Sequence, residues 1–431
     1  MVELKFDVGD KIDLTTLDKK YEGTVLDSDD SSVVLLKLKS GYNLGIRKEK
    51  IRDYKILEKS REMKEYGDRN KINPNKPNIG MILTGGTISA RYNAKKGGVD
   101  WLTSPEMFFK FYPEIFEKVN VLKLEVPFMK ASEDMDYKDW QKIAKVAEKM
   151  LNDSNIQGII ISHGTDFLHY TASALGFFLK NLSKPVVLTY SQRSIDRASS
   201  DATLNLECSA VAATSNIAEV MLVGHASSGD DFCYAMPATK VRKLHSSRRD
   251  AFKTVNSKPF AKIFPNGKIE NLREFKVRPE KNSKVSADTK FEEKIALVKV
   301  YPGQNPEILD FYLKNKYKGI VLEVAGLGHV PTKRARLGWT NKLKEVISKG
   351  LVVCAAAQTV NGRLNPLVYS NGREILETGV IYLDDMLSET AFVKLGWVLG
   401  HTEWAKDKKV VKEKMLENFA NEFNKRIEFE N

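Results

Sequence analysis

The stretch that decides the fold is residues 79–90, Ile79-Gly80-Met81-Ile82-Leu83-Thr84-Gly85-Gly86-Thr87-Ile88-Ser89-Ala90. An apolar run of strand length ends here in two adjacent glycines, which tolerate the positive φ angles that a side chain disfavours. Ligands of open α/β sheets bind beyond the carboxyl ends of strands, so Thr87 is predicted to lie where a nucleophile or a phosphate contact belongs. Taken alone, the pattern is also typical of plain strand-to-helix turns.

A second stretch repeats this arrangement further along the chain. The apolar run 158–161 leads into Ser162-His163-Gly164-Thr165-Asp166, which a helical segment follows. Two such loops at one sheet edge are predicted to bring Thr87 and Thr165 into one cleft, with Asp166 beside them. Asp166 also suits a helix N-cap, and a lone histidine such as His163 is more often a hydrogen-bonding loop residue than a catalytic base.

Strand-like and helix-like segments alternate on both sides of these loops, which is typical of βαβ units and a parallel sheet. The predicted helices cover residues 137–151 and 168–179. The predicted strands cover residues 81–83, 158–162, 186–190, 220–223, 295–300, 319–324 and 351–356. A charged connection at 280–292 divides them, so we predict an α/β body of two subdomains, 79–285 and 294–405.

The two ends of the chain differ from this body. Residues 1–57 contain short strand-like runs separated by turn signals, which predicts a small all-β, SH3-like barrel whose work is contact with a partner. Residues 58–78 are charged and turn-rich and predict a linker. Residues 406–431 are rich in Lys and Glu and predict a solvent-facing helical tail.

Composition restricts the class of protein. The 431 residues are 42% hydrophobic and 29% charged, with no apolar run long enough to span a membrane and no signal-peptide pattern, so we expect a cytoplasmic globular protein. The three cysteines are far apart in sequence, which argues against a disulfide framework or a zinc site. The net charge of +12 favours an anionic partner such as RNA, but interspersed Lys and Glu are equally typical of a solvated surface.

The two loops together resemble the signature loops of the bacterial-type L-asparaginase and glutaminase family, and their order and spacing agree with it. Ser132-Glu133-Asp134-Met135 resembles that family's substrate-contacting serine motif, with Glu133 where glutamine is common, and Ala238-Thr239-Lys240 resembles its Thr-Lys pair. The resemblance covers about residues 78–405. It implies an asparaginase-like body that hydrolyses a side-chain amide.

The resemblance also implies roles for individual residues. Thr87 would attack the amide carbon, while a buried Lys240 beside Asp166 would accept a proton through Thr165. Tyr92 is the candidate for the tyrosine of a mobile lid, next to the glycine-rich residues 95–98. The implied substrate-binding residues are Gly86, Ser132, Gly164 and Asp166.

A narrower group within that family is more similar still: archaeal subunits that supply ammonia for tRNA-dependent amidation and join such a body to an N-terminal barrel. The chain resembles them in residues 240–252, 358–363 and 389–395. The resemblance implies glutamine hydrolysis for a partner, the E subunit of the amidotransferase, which converts Glu-tRNA(Gln) to Gln-tRNA(Gln) with ATP and Mg²⁺. It implies no cofactor or metal in this chain, a homodimeric core, a heterotetramer with the partner, and tRNA bound through the complex.

Two other functions compete with this one. A free-standing cytoplasmic L-asparaginase would use the same chemistry, so the catalytic motifs do not distinguish the two functions. The N-terminal barrel and the excess of basic residues favour the tRNA-dependent enzyme. A binding module that holds a nucleotide phosphate is disfavoured, because neither loop has the Gly-x-Gly-x-x-Gly or Gly-Lys-Ser pattern typical of phosphate-binding loops.

Overall fold

The computed structural model describes residues 3–28, 30–39, 42–59, 72–93, 98–101, 115–194, 199–280 and 283–427, without the side chains of 90–101 and Phe116. Within these ranges the chain forms an N-terminal antiparallel sheet followed by two α/β units. No helix among them is long and apolar enough to cross a membrane. The cysteines Cys208, Cys233 and Cys354 are buried and form no disulfide.

The N-terminal unit is a five-stranded antiparallel sheet in the order β4-β3-β2-β1-β5. Its strands are β1 (Lys11–Thr16), β2 (Lys20–Leu26), β3 (Val33–Leu38), β4 (Asn43–Arg47) and β5 (Ile51–Glu58). Alternate residues face one apolar core, in which Ile12, Leu14 and Leu36 are fully buried. The small all-β unit predicted at the N-terminal end is therefore present, and we call it the barrel below.

The large sheet of the body has eight strands in the order β18-β17-β14-β13-β12-β10-β6-β9. These strands are β6 (Asn78–Leu83), β9 (Asn120–Glu125), β10 (Ile159–Ser162), β12 (Val186–Thr189), β13 (Val220–His225), β14 (Cys233–Pro237), β17 (Ala261–Ile263) and β18 (Ile269–Asn271). The five from β9 to β13 run parallel, whereas β14, β17 and β18 extend the sheet antiparallel. The sheet is thus mixed, although its site-bearing half is parallel as predicted.

Helices cover both faces of the large sheet. They are α1 (Ile115–Lys118), α2 (Tyr137–Leu151), α3 (Leu168–Phe178) and α4 (Ala202–Ala213). Ile159 and Ile161 face one core while Ile160 faces the other, which explains why the central strands are apolar throughout. Helix α2 begins at a capping box. The Asp136 carboxylate accepts a hydrogen bond from the backbone N–H of Asp139, and the Asp139 carboxylate accepts one from the backbone N–H of Asp136.

The second α/β unit is a parallel sheet in the order β20-β21-β22-β23. Its elements are β20 (Ile295–Lys299), β21 (Gly319–Val324), β22 (Val352–Ala357), β23 (Ile381–Tyr382), α5 (Ile308–Lys314), α6 (Thr340–Ser348), α7 (Ser370–Leu376) and α8 (Ser388–Gly400). Helix α8 is buried along most of its length, and its residues share one core with α3 and with β21. It is therefore the element that joins the two units.

Short paired strands and turns complete the body. They are β7 (Ala90–Asn93) with β8 (Gly98–Trp101), β11 (Leu179–Lys180) with β19 (Ser286–Ala287), β15 (Val241–Lys243) with β16 (Phe252–Thr254), and the 3-10 turns Lys48–Lys50, Thr87–Ser89 and Ser132–Asp134. The hairpin formed by β15 and β16 is important below because it carries a lysine to the site.

The C-terminal tail corrects one prediction. Helices α9 (Thr402–Ala405) and α10 (Lys408–Leu416) are short, and residues 417–427 have no regular structure. Val411 and Met415 lie in the core, and the fully buried Glu422 accepts a hydrogen bond from the fully buried Lys394, 2.7 Å away. Since apolar residues and a buried ion pair hold the tail against α8, it is not the solvent-facing helix that its composition predicts.

Candidate active site

The two glycine loops touch each other at the carboxyl ends of β6 and β10. Gly85 and Gly86 have φ angles of 112° and 84°, and a β-carbon on Gly86 would lie 2.3 Å from the α-carbon of Gly164. The Thr84 hydroxyl donates to the Ser162 carbonyl over 2.7 Å, which fixes the two strand ends together. The predicted convergence of the loops therefore occurs, and it requires glycine at Gly86.

This contact makes a testable prediction for Gly86→Ala. The substitution adds a methyl group against the backbone of Gly164 at a positive φ, so we expect glutamine hydrolysis to fall by about 100-fold or more as the loops separate. Gly303→Ala is the matched control, because Gly303 has a φ of 80° but no atom within 4 Å of the place where a β-carbon would lie. It should lose about 1 kcal/mol of stability from backbone strain and keep its activity. Equal activity of the two variants would contradict this account of the loops.

Thr87 and Thr165 each follow one of the touching glycines. Thr87 begins a 3-10 turn at the carboxyl end of β6 and is partly exposed. Thr165 is buried, with 7% of its surface exposed. The Ser89 hydroxyl, near Thr87 in sequence, is buried without a hydrogen-bond partner among the described residues. The arrangement places one partly exposed and one buried threonine at the same sheet edge.

A lysine reaches this edge from the β15–β16 hairpin. The Lys243 ammonium lies 2.8 Å from the Thr165 hydroxyl and 2.8 Å from the Asp166 carboxylate. The Lys243 side chain is only 10% exposed, while that of Asp166 is 60% exposed. Lys243 is the last residue of β15 and pairs with Phe252 across the hairpin, which fixes where its side chain emerges. The threonine, the aspartate and the lysine thus form one connected cluster.

Lys240, the lysine that the family resemblance implies, does not pair with Asp166 in the structure as expected. Its fully buried ammonium donates to the Asp385 carboxylate over 2.9 Å and to the Asp385 carbonyl over 2.8 Å, away from Asp166. Burial lowers the pKa of Lys240, and the Asp385 charge opposes that shift. Lys240 therefore connects the first α/β unit to the second. The sequence motif selects Lys240 because it is the first of three basic residues in positions 240–243. The signal that could have indicated Lys243 is the strand-like run 241–243, which ends at this lysine.

Ser132 lies beside the second loop. A β-carbon on Gly164 would lie 3.0 to 3.1 Å from Ser132 atoms, and the Ser132 hydroxyl accepts from the Phe167 amide over 3.2 Å. Helix α3 has Phe167 at its N-cap position with no side-chain cap, so Asp166 does not cap the helix. Ser132 and the exposed side of Asp166 therefore border the cluster.

The remaining candidates have other positions. The fully buried His163 ring donates from Nδ1 to the Gly164 carbonyl over 2.7 Å, and burial lowers the pKa of His163 to about 4, so the ring is neutral at pH 7 and shapes the loop. Tyr92 lies on β7, and its side chain falls outside the described part of the structure, as do the loop residues 94–97. Within the described ranges no group of three or more potential metal ligands is found.

Three protein-family models match segments of this chain. Residues 78–276 match the family described as Asparaginase, N-terminal, and residues 294–413 match the Glutaminase/Asparaginase C-terminal domain. Residues 6–57 match the GatD N-terminal domain. The barrel and both units of the body thus have separate family counterparts.

Whole-chain relatives are similar over nearly the full length. The D subunit of glutamyl-tRNA(Gln) amidotransferase from Pyrococcus abyssi is 45% identical over 437 aligned positions, which cover 99% of this chain and 97% of the relative. The protein of the same name from Methanococcus maripaludis is 43% identical, with 98% of this chain and 100% of the relative covered.

Solved structures match the body. The thermostable L-asparaginase from Thermococcus kodakarensis superposes with a TM-score of 0.70 at 26% identity, covering 81% of this chain and 100% of that chain. L-asparaginase I from Vibrio cholerae gives a TM-score of 0.69 at 28% identity, covering 81% and 99%. Complete asparaginases are therefore matched by about four-fifths of this chain, which leaves room for the extra N-terminal unit.

Proposed function

This chain belongs to the family of glutamyl-tRNA(Gln) amidotransferase D subunits, and from that premise we propose that it hydrolyses glutamine at the edge of β6 and β10 and delivers the ammonia to a partner chain. The barrel distinguishes this function from that of a free-standing asparaginase, because its residues match the GatD N-terminal domain. The observation that carries the proposed site is the 2.8 Å contact of Lys243 with both Thr165 and Asp166, next to the loop that bears Thr87.

The proposed chemistry begins at Thr87. Its hydroxyl oxygen attacks the side-chain amide carbon of glutamine, and the carbon–nitrogen bond breaks after the amide nitrogen gains a proton, so ammonia leaves. A glutamyl ester remains on Thr87. Water then attacks the ester carbon, which releases glutamate and returns the proton to the threonine oxygen. Gly86 and Gly164 leave backbone groups close to the reacting carbonyl, where N–H donors stabilise a developing oxyanion.

The cluster of Thr165, Asp166 and Lys243 handles the protons in this scheme. In its neutral form Lys243 accepts a proton through the Thr165 hydroxyl, which lies between it and the reacting atoms. The Asp166 carboxylate stabilises the ammonium that results, and its exposed side is available for the α-ammonium group of glutamine. Ser132 is the proposed contact for the α-carboxylate, and Tyr92 remains the proposed lid residue.

The step that consumes ammonia belongs to the partner in this proposal. We assign that role to the E subunit of the amidotransferase, which would activate the glutamate of Glu-tRNA(Gln) with ATP and Mg²⁺, while this chain needs no cofactor. A homodimeric core with one partner bound to each copy, forming a heterotetramer, is the assembly we propose. Because charged tRNA is the substrate of the partner, the reaction is placed in the cytoplasm.

Glutamine turnover by the isolated chain and by the complex tests this proposal. We expect glutamine turnover to rise at least tenfold when partner and Glu-tRNA(Gln) are both present. The isolated chain would populate a less active state, and preferential binding of partner and tRNA to the active state would shift the equilibrium towards it. Asparagine turnover is the control and should stay lower than glutamine turnover in the complex. A chain that prefers asparagine and turns over both amides at the same rate in every condition would instead be a free asparaginase.

A further inference from the structure

One loop of the large sheet contacts both the barrel and the lysine-bearing hairpin. This bridge loop, residues 226–232, connects β13 to β14 at the edge of the parallel half of the sheet. Its Asp230 receives hydrogen bonds from a barrel side chain and from a hairpin side chain. No residue of the bridge loop takes part in the chemistry above.

The hairpin is held to the bridge loop by its own charged residues. Arg249, in the turn between β15 and β16, donates from Nη1 to the Asp230 carboxylate over 2.6 Å and from Nη2 to the Ser228 carbonyl. Lys253 donates to the Ala226 carbonyl over 2.9 Å. The Arg249 side chain is only 14% exposed. The hairpin that presents Lys243 is therefore fixed at its turn by a partly desolvated ion pair.

The barrel reaches the same carboxylate from the other side. The Tyr42 hydroxyl lies 3.2 Å from the second oxygen of Asp230. Leu26 and Leu35 of the barrel pack against the core beneath the large sheet, so the contact is part of a wider junction. A shift of the barrel would therefore change the surroundings of Asp230 directly.

A buried histidine fixes Asp230 from below. Asn205 donates from Nδ2 to the Tyr190 carbonyl, so it presents its oxygen to His225 Nδ1 at 2.6 Å, while His225 Nε2 lies 3.1 Å from Asp230. Both ring nitrogens of His225 therefore face an oxygen atom, one of Asn205 and one of Asp230, which fixes the orientation of the ring. The hydrogen bond from His225 is the main cause that lowers the pKa of Asp230, and the carboxylate stays ionised.

We propose that Asp230 is a positioning residue that fixes the Lys243 hairpin and couples its placement to the barrel. The carboxylate has one oxygen for His225 and Arg249 and one for Tyr42, so a single group senses both elements. A partner that engages the barrel would thereby adjust how Lys243 meets Thr165 and Asp166. This coupling role rests on the proposed glutaminase function and on its stimulation by partner and Glu-tRNA(Gln).

Substitutions at Asp230 and Arg249 test the positioning role in the complex. Asp230→Ala leaves Arg249 and His225 without their shared carboxylate, and we expect kcat for glutamine to fall about tenfold with KM changed less than twofold, because the lysine moves while the substrate contacts stay. Asp230→Asn keeps an acceptor oxygen, so its kcat for glutamine should lie between that of Asp230→Ala and that of the parent. Arg249→Lys should retain more activity than Arg249→Met. Folded Asp230→Ala or Arg249→Met protein with the parental kcat would overturn the positioning role.

Tyr42→Phe tests the link to the barrel with minimal risk to folding. Basal turnover by the isolated chain should match the parent, whereas stimulation by partner and Glu-tRNA(Gln) should fall at least threefold. Tyr54→Phe is the matched control: its hydroxyl accepts only a hydrogen bond from the Lys5 amide within the barrel among the described contacts, so its stimulation should be parental. Equal stimulation of the parent and of Tyr42→Phe would overturn the proposed coupling between the barrel and Asp230. A parent that shows no stimulation would instead contradict the proposed function on which this coupling rests.

Discussion

Replacement of Thr87 with alanine is expected to lower glutamine hydrolysis by roughly 10⁴-fold or more while the chain stays folded. The Thr87 hydroxyl at the end of β6 is the proposed nucleophile, and no glutamyl ester can form without it. The side chain is only partly buried, so its loss should change the melting temperature little. The measurement is ammonia release from glutamine by the complex under saturating substrate.

Thr87→Ser is the matched control for this variant. It retains the nucleophilic oxygen and removes only a methyl group, so it should keep measurable turnover and form the same ester. Mass spectrometry of enzyme quenched during turnover should find the glutamyl adduct on the parent and on Thr87→Ser, and none on Thr87→Ala. An adduct on another residue would reassign the nucleophile.

The second large effect separates two lysines that lie three positions apart. Lys243→Met removes the group that contacts Thr165 and Asp166, so glutamine turnover should fall about 10³-fold, within the range for a lost acid or base. Because the Asp166 side chain is 60% exposed, water can solvate its carboxylate when Lys243 is removed, so the melting temperature should change little.

Lys240→Met should behave in the opposite way. It leaves the buried Asp385 carboxylate without its cationic partner, which destabilises a protein by about 3 to 5 kcal/mol. We expect a clear fall in melting temperature, with turnover per folded molecule reduced far less than in Lys243→Met. Loss of turnover in Lys240→Met with parental stability, and parental turnover in Lys243→Met, would restore the assignment made from the sequence motif.

The positions of the main strands and helices follow from local patterns. The helix predicted at 137–151 has the bounds found in the structure, because its capping residue and its apolar spacing are both local. The two glycine loops were likewise predicted to meet, since parallel strands end at one edge and each loop follows such a strand. The backbones of Gly86 and Gly164 can approach this closely because neither residue has a β-carbon.

What the sequence could not provide depends on partners far away in the chain. The charges of Lys240 and Lys243 are alike, and only the fold decides that one meets Asp385 and the other meets Asp166. The same holds for the tail, whose charged composition suggests exposure although Glu422 is buried against Lys394. Burial of a charged residue is decided by its long-range partner, and a local pattern contains no information about that partner.

The central claim is that this chain only supplies ammonia to a partner that uses it. The most direct test gives the Thr87→Ala complex Glu-tRNA(Gln), ATP and Mg²⁺ with either glutamine or excess ammonium, and measures Gln-tRNA(Gln) formed. We expect almost no product from glutamine and near-parental product from ammonium, because the proposed amidating step lies outside this chain. Failure of ammonium to restore synthesis in a correctly assembled complex, or undiminished synthesis from glutamine, would contradict it.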